Sequence, residues 1–320
     1  MEITENQEFK DISKTGKDRK WKERKLQNIE YAKRLEILGY KAFANVYQCA
    51  EVLKFRELDG HLKLQQAWFC KSKLCPICNW RRSMKYSAQL TQIVDVAIAR
   101  QPKAKFLFLT LTVKNVHGEV LGAELTRLTK AFKRLFERKK VKKSVIGYLR
   151  AIEVTYNAER DDYHPHIHVM LMVKASYFKK SEYYISQEEW TSLWQQSAKL
   201  DYKPIVDVRK VKPHKKKAKD EMDLRGAIIE TAKYPTKPIE KMGKTEEQKL
   251  KVTDDLMKAL YRKRQIGFGG LFKEIRKELQ LEDVENGDLI HVDEENDDVS
   301  LGTEIVAIFN WERMNYYVAD

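Results

Sequence analysis

Residues 163–174 read YHPHIHVMLMVK, which sets three of the chain's seven histidines on alternate positions and then runs into apolar sequence. Side chains on a strand alternate between its two faces. Ile167, Val169, Leu171 and Val173 then form a core face, and His164, His166 and His168 fall on the other. Two histidines at i and i+2 can converge on one metal ion. A third, oxygen ligand favours a hard cation such as Mg²⁺ or Mn²⁺, although imidazole also suits zinc. The preceding strand-like run, GYLRAIEVTY (147–156), offers that oxygen. Ile152 and Val154 take its core face, so Glu153 and Thr155 share a face with the histidines. A hairpin turning near residue 160 sets Glu153 across from His166 and His168. A lone histidine on such a face is ordinarily solvated or hydrogen-bonded. The paired spacing and the opposing acid favour a metal centre here, and leave open whether His164 joins it.

A second stretch, RGAIIETAKYPTKP (225–238), places Glu230 and Tyr234 four residues apart, neighbours on one helix face. Pro235 disfavours helical geometry at Tyr234, so the ring is expected at a helix end, flanked by Lys233 and Lys237. A phenol is a poor nucleophile at neutral pH, but nearby cations and a metal-polarised phosphate favour its anion. A carboxylate four residues away can act as a general base on water. With fifteen tyrosines in the chain, this spacing alone is weak: most tyrosines simply pack with their hydroxyls at the surface.

The third group is Cys49, Cys70, Cys75 and Cys78, all the cysteines of the chain within thirty residues. Their spacing fits a structural Zn²⁺ site, against the alternative of buried reduced thiols acting as small apolar groups. Arg81, Arg82 and Lys85 follow directly and are candidate phosphate contacts.

These groups need elements to hold them. Helical spacing is expected over 83–101, ending at Pro102, and a strand over 105–113, where KFLFLTLTV alternates. Residues 122–139 read as a basic amphipathic helix, 147–156 and 165–173 as a hairpin, 186–199 as a helix and 204–211 as a strand. The run 222–234 reads as a helix, and 253–280 as two helices around GFGG. The whole is α+β, with helices around an antiparallel sheet. The expected division is a charged arm (1–40), a cysteine-rich zinc-binding segment (41–82), a core (83–240), a helical part (241–280) and an acidic tail (281–320).

Charge bounds the function. The 320 residues are 42% hydrophobic and 34% charged, with a net +14. The last forty hold twelve acids against one arginine, so the preceding 280 carry +25. A body that basic is expected to bind a polyanion, nucleic acid by default. The polar N-terminus and the lack of any long apolar run point to the cytoplasm, where cysteines stay reduced. No phosphate-binding Gly-x₄-Gly-Lys-Ser/Thr loop is present.

FLFLTLTV, HPHIHVML and ETAKYPTKP, in that order, resemble three motifs of the HUH endonucleases. The nearest likeness is to replication initiators of small rolling-circle plasmids from Gram-positive bacteria, in the group with one tyrosine and an upstream glutamate. CKSKLCPICNWRR resembles the cysteine-rich segment preceding those motifs, and the likeness covers roughly residues 10–280. The resemblance implies a ferredoxin-like or RRM-like sheet with His166 and His168 as the metal pair on a middle strand. It implies Tyr234 as nucleophile, with Glu230 where phage-type relatives carry a second tyrosine; Glu153 as third ligand rests on strand geometry. It further implies nicking of origin DNA through a 5′-phosphotyrosine, a free 3′-OH primer, and a host helicase and polymerase as partners. A homodimer is among the expected partners, and no membrane partner is expected. A conjugative relaxase or transposase of the same superfamily is the rival enzyme, and a zinc-containing DNA-binding repressor the rival without catalysis. The repressor leaves the histidine pair, Glu153 and the Glu230–Tyr234 spacing unexplained.

Overall fold

The computed structural model describes residues 7–58, 60–211, 242–292 and 302–319. Along the chain come α1 (Trp21–Ile37), α2 (Phe43–Tyr47), β1 (Val52–Leu58), β2 (His61–Ala67) and α3 (Pro76–Arg100). Then follow β3 (Lys105–Thr112), α4 (Gly118–Glu137), α5 (Lys139–Ser144), β4 (Val145–Asn157) and β5 (Asp162–Val173). After these come α6 (Gln187–Ala198), β6 (Val206–Lys210), α7 (Glu246–Ala259), β7 (Ile266–Gly270), α8 (Leu271–Glu278), β8 (Thr303–Asn310) and β9 (Asn315–Ala319). The fold is α+β with two antiparallel sheets, and the chain divides into two compact units, Met1–Lys85 with Glu282–Asp320, and Tyr86–Leu281.

The larger unit carries the histidine strand. Its sheet runs β6-β3-β5-β4-β7, so β5 is the central strand. The β4–β5 hairpin turns over residues 158–161. Asn157 Oδ1 accepts from Glu159 and Arg160 N–H, and Asp161 closes the turn at φ 52°. That polar turn falls near residue 160, as the sequence puts it, and the ladder runs to Asn157↔Asp162, one residue farther on β4 and three on β5 than expected. Leu107, Leu109, Leu111, Ile167, Val169 and Leu171 are buried on one face, the face of α4, whose Phe132 and Phe136 pack on Tyr148. Ser186 caps α6 by accepting from Glu189 N–H, and Thr245 caps α7 by accepting from Gln248 N–H.

One sequence expectation is corrected in this unit. GFGG is not a turn between two helices but the edge strand β7, paired to β4 from Gly147↔Gly270 to Ala151↔Ile266. A Cβ on Gly269 would lie 2.1 Å from the Tyr148 ring, and Gly270 sits at φ 55°. Glycine is required by the neighbours, not by a phosphate.

The smaller unit is built on a sheet of order β2-β1-β8-β9. Its core holds Leu53, Phe55, Ile305, Ala307 and Phe309 on one face, with Trp21 of α1 edge-on to Phe55 at 6.1 Å. The end of the acidic tail thus supplies two strands of this sheet. β8 pairs with β1 from Val52↔Ile308 to Glu57↔Thr303, and β9 closes a hairpin on β8.

Candidate metal centre

Register brings the acid to the histidines. β4 and β5 pair Glu153↔His166 and Ala151↔His168, and β3 pairs Thr110↔His168 and Thr112↔His166. Directly opposed residues point to one side of a sheet, so Thr110, Glu153, His166 and His168 meet on the face away from α4. Glu153 Oε2 lies 3.4 Å from His166 Nε2 and 3.2 Å from His168 Nε2. Glu153 is 4% exposed and His166 8%, whereas the His168 side chain is 29% exposed, so the cluster opens to solvent on the His168 side. Farther along the same face Met170 and Met172 are buried, which closes the other end.

The remaining ring nitrogens are occupied. His166 Nδ1 is 3.1 Å from the His164 carbonyl, so its N–H donates there, and His168 Nδ1 is 3.2 Å from Thr110 Oγ1. Partners on Nδ1 fix ring orientation and leave both Nε2 lone pairs directed at the carboxylate, the arrangement a metal-ligating histidine requires. Donors about 2.1 Å from a common centre stand roughly 3.0–3.4 Å apart, which matches these separations. The three residues fit a divalent cation. His164 stands outside this cluster, its ring 5.2 Å from that of His166. Burial, and then the neighbouring His166, hold His164 below the ordinary imidazole value.

Sequence reasoning did not find Thr110. The available signal was a pair of threonines, Thr110 and Thr112, on the otherwise apolar alternation of β3.

The cysteines form a second candidate centre, in the smaller unit. Sγ atoms stand 3.6 Å apart for Cys49–Cys78 and Cys70–Cys78, and 3.8 Å for Cys49–Cys75. Four sulfurs at about 2.3 Å from one tetrahedral zinc lie roughly 3.8 Å from each other. A disulfide would bring a pair to about 2.05 Å. Cys70 N–H points at Cys49 Sγ and Cys78 N–H at Cys75 Sγ. Burial pushes the Cys49 and Cys75 thiols up, while hydrogen bonds from the neighbouring thiols hold Cys70 down. Lys25, fully buried, donates to the Tyr47 and Cys49 carbonyls at 2.7 and 2.9 Å. Burial lowers its pKa, and the cysteines oppose that fall. A buried ammonium needs negative charge nearby; Glu51 supplies part of it, and thiolates around a metal would supply more.

The cations after the cysteines are corrected. Arg81, Arg82 and Lys85 are 2%, 7% and 6% exposed. Arg81 donates to the Leu289 and Ile290 carbonyls at 2.8 and 2.5 Å. Arg82 donates to the carbonyls of Lys71, Ser72 and Glu285. Lys85 Nζ reaches Glu282 Oε2 at 2.6 Å and the Asp288 carbonyl at 2.7 Å. These donors hold the acidic segment to α3, and no phosphate could reach them. The sequence showed cations and acids but not that they satisfy each other. Glu230, Lys233, Tyr234 and Lys237 lie outside the described residues.

Comparison with known proteins follows the same lines. The profile described as "Replication protein" matches residues 61–317. A "Protein rep" of Streptococcus pneumoniae serotype 2 (strain D39 / NCTC 7466) is 55% identical over 99% of this chain and 98% of its own length. A "Protein rep" of Lactiplantibacillus plantarum is 49% identical over 97% and 98%, and one of Lentilactobacillus hilgardii 46% identical over 97% and 98%. No solved structure matches.

Proposed function

The chain belongs to the replication-protein family, and from that premise we propose that it initiates rolling-circle replication of a plasmid by nicking and rejoining origin DNA. The observation that carries this reading is the Glu153–His166–His168 cluster on the middle of the sheet, with both Nε2 atoms turned to one carboxylate oxygen. It is built for a divalent cation at a surface where DNA can reach it, in a protein whose first 280 residues carry +25.

Glu153, His166 and His168 would hold Mn²⁺ or Mg²⁺, which supplies Lewis-acid polarisation of a scissile phosphate. The Tyr234 phenolate oxygen attacks phosphorus in line. A 5′-phosphotyrosine forms as the bond to the 3′ oxygen breaks, and the released 3′-OH primes a host polymerase. The phosphodiester energy stays in the tyrosine link, so rejoining consumes no ATP, and strand separation falls to a host helicase. Glu230 takes a proton from water at termination, hydrolysing the link. Cys49, Cys70, Cys75 and Cys78 hold a structural Zn²⁺ in the smaller unit.

Incubating the chain with Mn²⁺ and a single-stranded oligonucleotide carrying its origin should yield a covalent adduct. The adduct should vanish in Tyr234→Phe. An adduct that survives that substitution removes the nucleophile, and Glu230→Ala should leave first-strand nicking intact.

A further inference from the structure

The solvent face of the smaller unit's sheet carries an apolar row that no described element covers. Leu53 and Phe55 point into the core, so Val52, Lys54 and Arg56 point out. Val52 pairs with Ile308, and Ile308 with Tyr317, which sets three such residues side by side across β1, β8 and β9. Trp68 extends the row. It follows β2 directly, its carbonyl accepts from Ala50 N–H at 2.8 Å, and its neighbour Ala67 pairs with Leu53. Val52 is 40% exposed, Ile308 41% and Trp68 48%. Isolated exposed apolar residues need no explanation; a contiguous row running from strand to strand across an open sheet does.

The charge beside the row selects the occupant. On the same face stand Lys54, and Arg56 paired with Lys63. Arg313 lies over the Tyr317 ring at 5.1 Å. Among the described residues, the acids set against these four cations are Glu304, paired to Arg56, and Glu8, bridged to Tyr317. A face made for a second copy would be depleted of charge around its apolar centre. One with aromatic rings set among cations suits bases and phosphates together. In a duplex the base faces are already stacked, so only unpaired bases can lie on Trp68 and Tyr317.

The geometry points to this sheet face as a single-stranded DNA platform, with bases stacked on Trp68 and Tyr317 and phosphates met by Lys54, Lys63 and Arg313. It rests on the replication reading and deepens it: the ligand is the single-stranded DNA that replication exposes, held without regard to sequence. Stacking is sequence-tolerant because every base has a π face.

The test uses the full chain and a fluorescent single-stranded oligonucleotide of mixed sequence lacking the origin, with no added Mn²⁺, read by anisotropy at fixed salt. Trp68→Ala should weaken binding by about fivefold or more, the loss of one base–aromatic stack. Trp68→Phe should retain most of the affinity, and Tyr317→Ser should weaken it independently of Trp68. Equal thermal melting of the variants excludes misfolding, which the exposure of Trp68 makes a mild risk. Unchanged affinity in both Trp68→Ala and Tyr317→Ser overturns the proposal. So does unchanged affinity accompanied by loss of a dimer in sedimentation, which would assign the face to a second copy. Since neither origin nor metal is present, this result is separate from the adduct test of Tyr234.

Discussion

Replacing Thr110 with valine deletes one hydroxyl from the partner of His168 while keeping a β-branched side chain of the same shape in β3. The lost contact is the 3.2 Å approach of Thr110 Oγ1 to His168 Nδ1. A hydrogen bond of that length is at the long end of the normal range. His168 is also 29% exposed at its side chain, so water can replace part of it. A net loss of ~0.5–1.5 kcal/mol is therefore expected, at or below the low end of the ~10–100-fold that removing an outer-shell partner costs a metal site. Mn²⁺ should bind Thr110→Val about three- to tenfold more weakly by calorimetry. The loss should appear in the His168 ring and spare His166, whose Nδ1 is held by the His164 backbone carbonyl. Nitrogen NMR of the two imidazoles reads that difference, with a mixed tautomer for His168 only. Thr110→Ser, which restores the hydroxyl, should recover the affinity. Equal Mn²⁺ affinity in Thr110→Val and the parent, or failure of the serine to rescue, would refute the reasoning.

Three further substitutions test the remaining assignments. Glu153→Gln keeps the shape of the side chain but removes the charge between two imidazoles; Mn²⁺ affinity should fall by more than the ~100-fold upper limit for an outer-shell loss, as read by the same titration. Arg81→Met strands the Leu289 and Ile290 carbonyls, so chemical denaturation should show a loss of about 2–4 kcal/mol. The salt dependence of DNA binding should not change, since a buried guanidinium releases no counterions; a shallower slope would return Arg81 to the DNA surface. Lys25→Met tells thiolates from thiols: if the four sulfurs are ionised around zinc, melting temperature falls, and a rise would mean a neutral cluster that the ammonium was burdening.

The part of the site legible in the sequence was the part written in local periodicity. The two-residue alternation in HPHIHVML separated the core face from the histidine face, and the same alternation in RAIEVTY put Glu153 opposite His166. Cys70, Cys75 and Cys78 met in space because the chain between them is short, and the β1–β2 pairing, with Ala50 N–H on the Trp68 carbonyl, brought Cys49 to them. What escaped depended on partners distant in sequence. Nothing near Arg81 indicates that the Leu289 and Ile290 carbonyls will be its acceptors. The β1–β8 pairing joins residues about 250 apart, beyond any pattern a local reading can weigh. GFGG carries no alternation at all, so its strand is defined by the Tyr148 ring and the Ile146 carbonyl that leave no space for a Cβ.

The pairing of β1 with β8 also sets an order of events during synthesis. Val52 leaves the ribosome long before Ile308, its partner, exists. Every residue of Tyr86–Leu281 is made in the interval, so that unit can form its five-stranded sheet while the smaller unit still lacks two of its four strands. Domains fold as their chains become complete, and closing so long a loop is slow to be rewarded. Until the last forty residues arrive, the edge of β1 that will receive β8 stays unpaired, and Arg81 has no Leu289 carbonyl to meet. A chain stopped near residue 281 would therefore carry a finished histidine–glutamate site and a half-built cysteine unit.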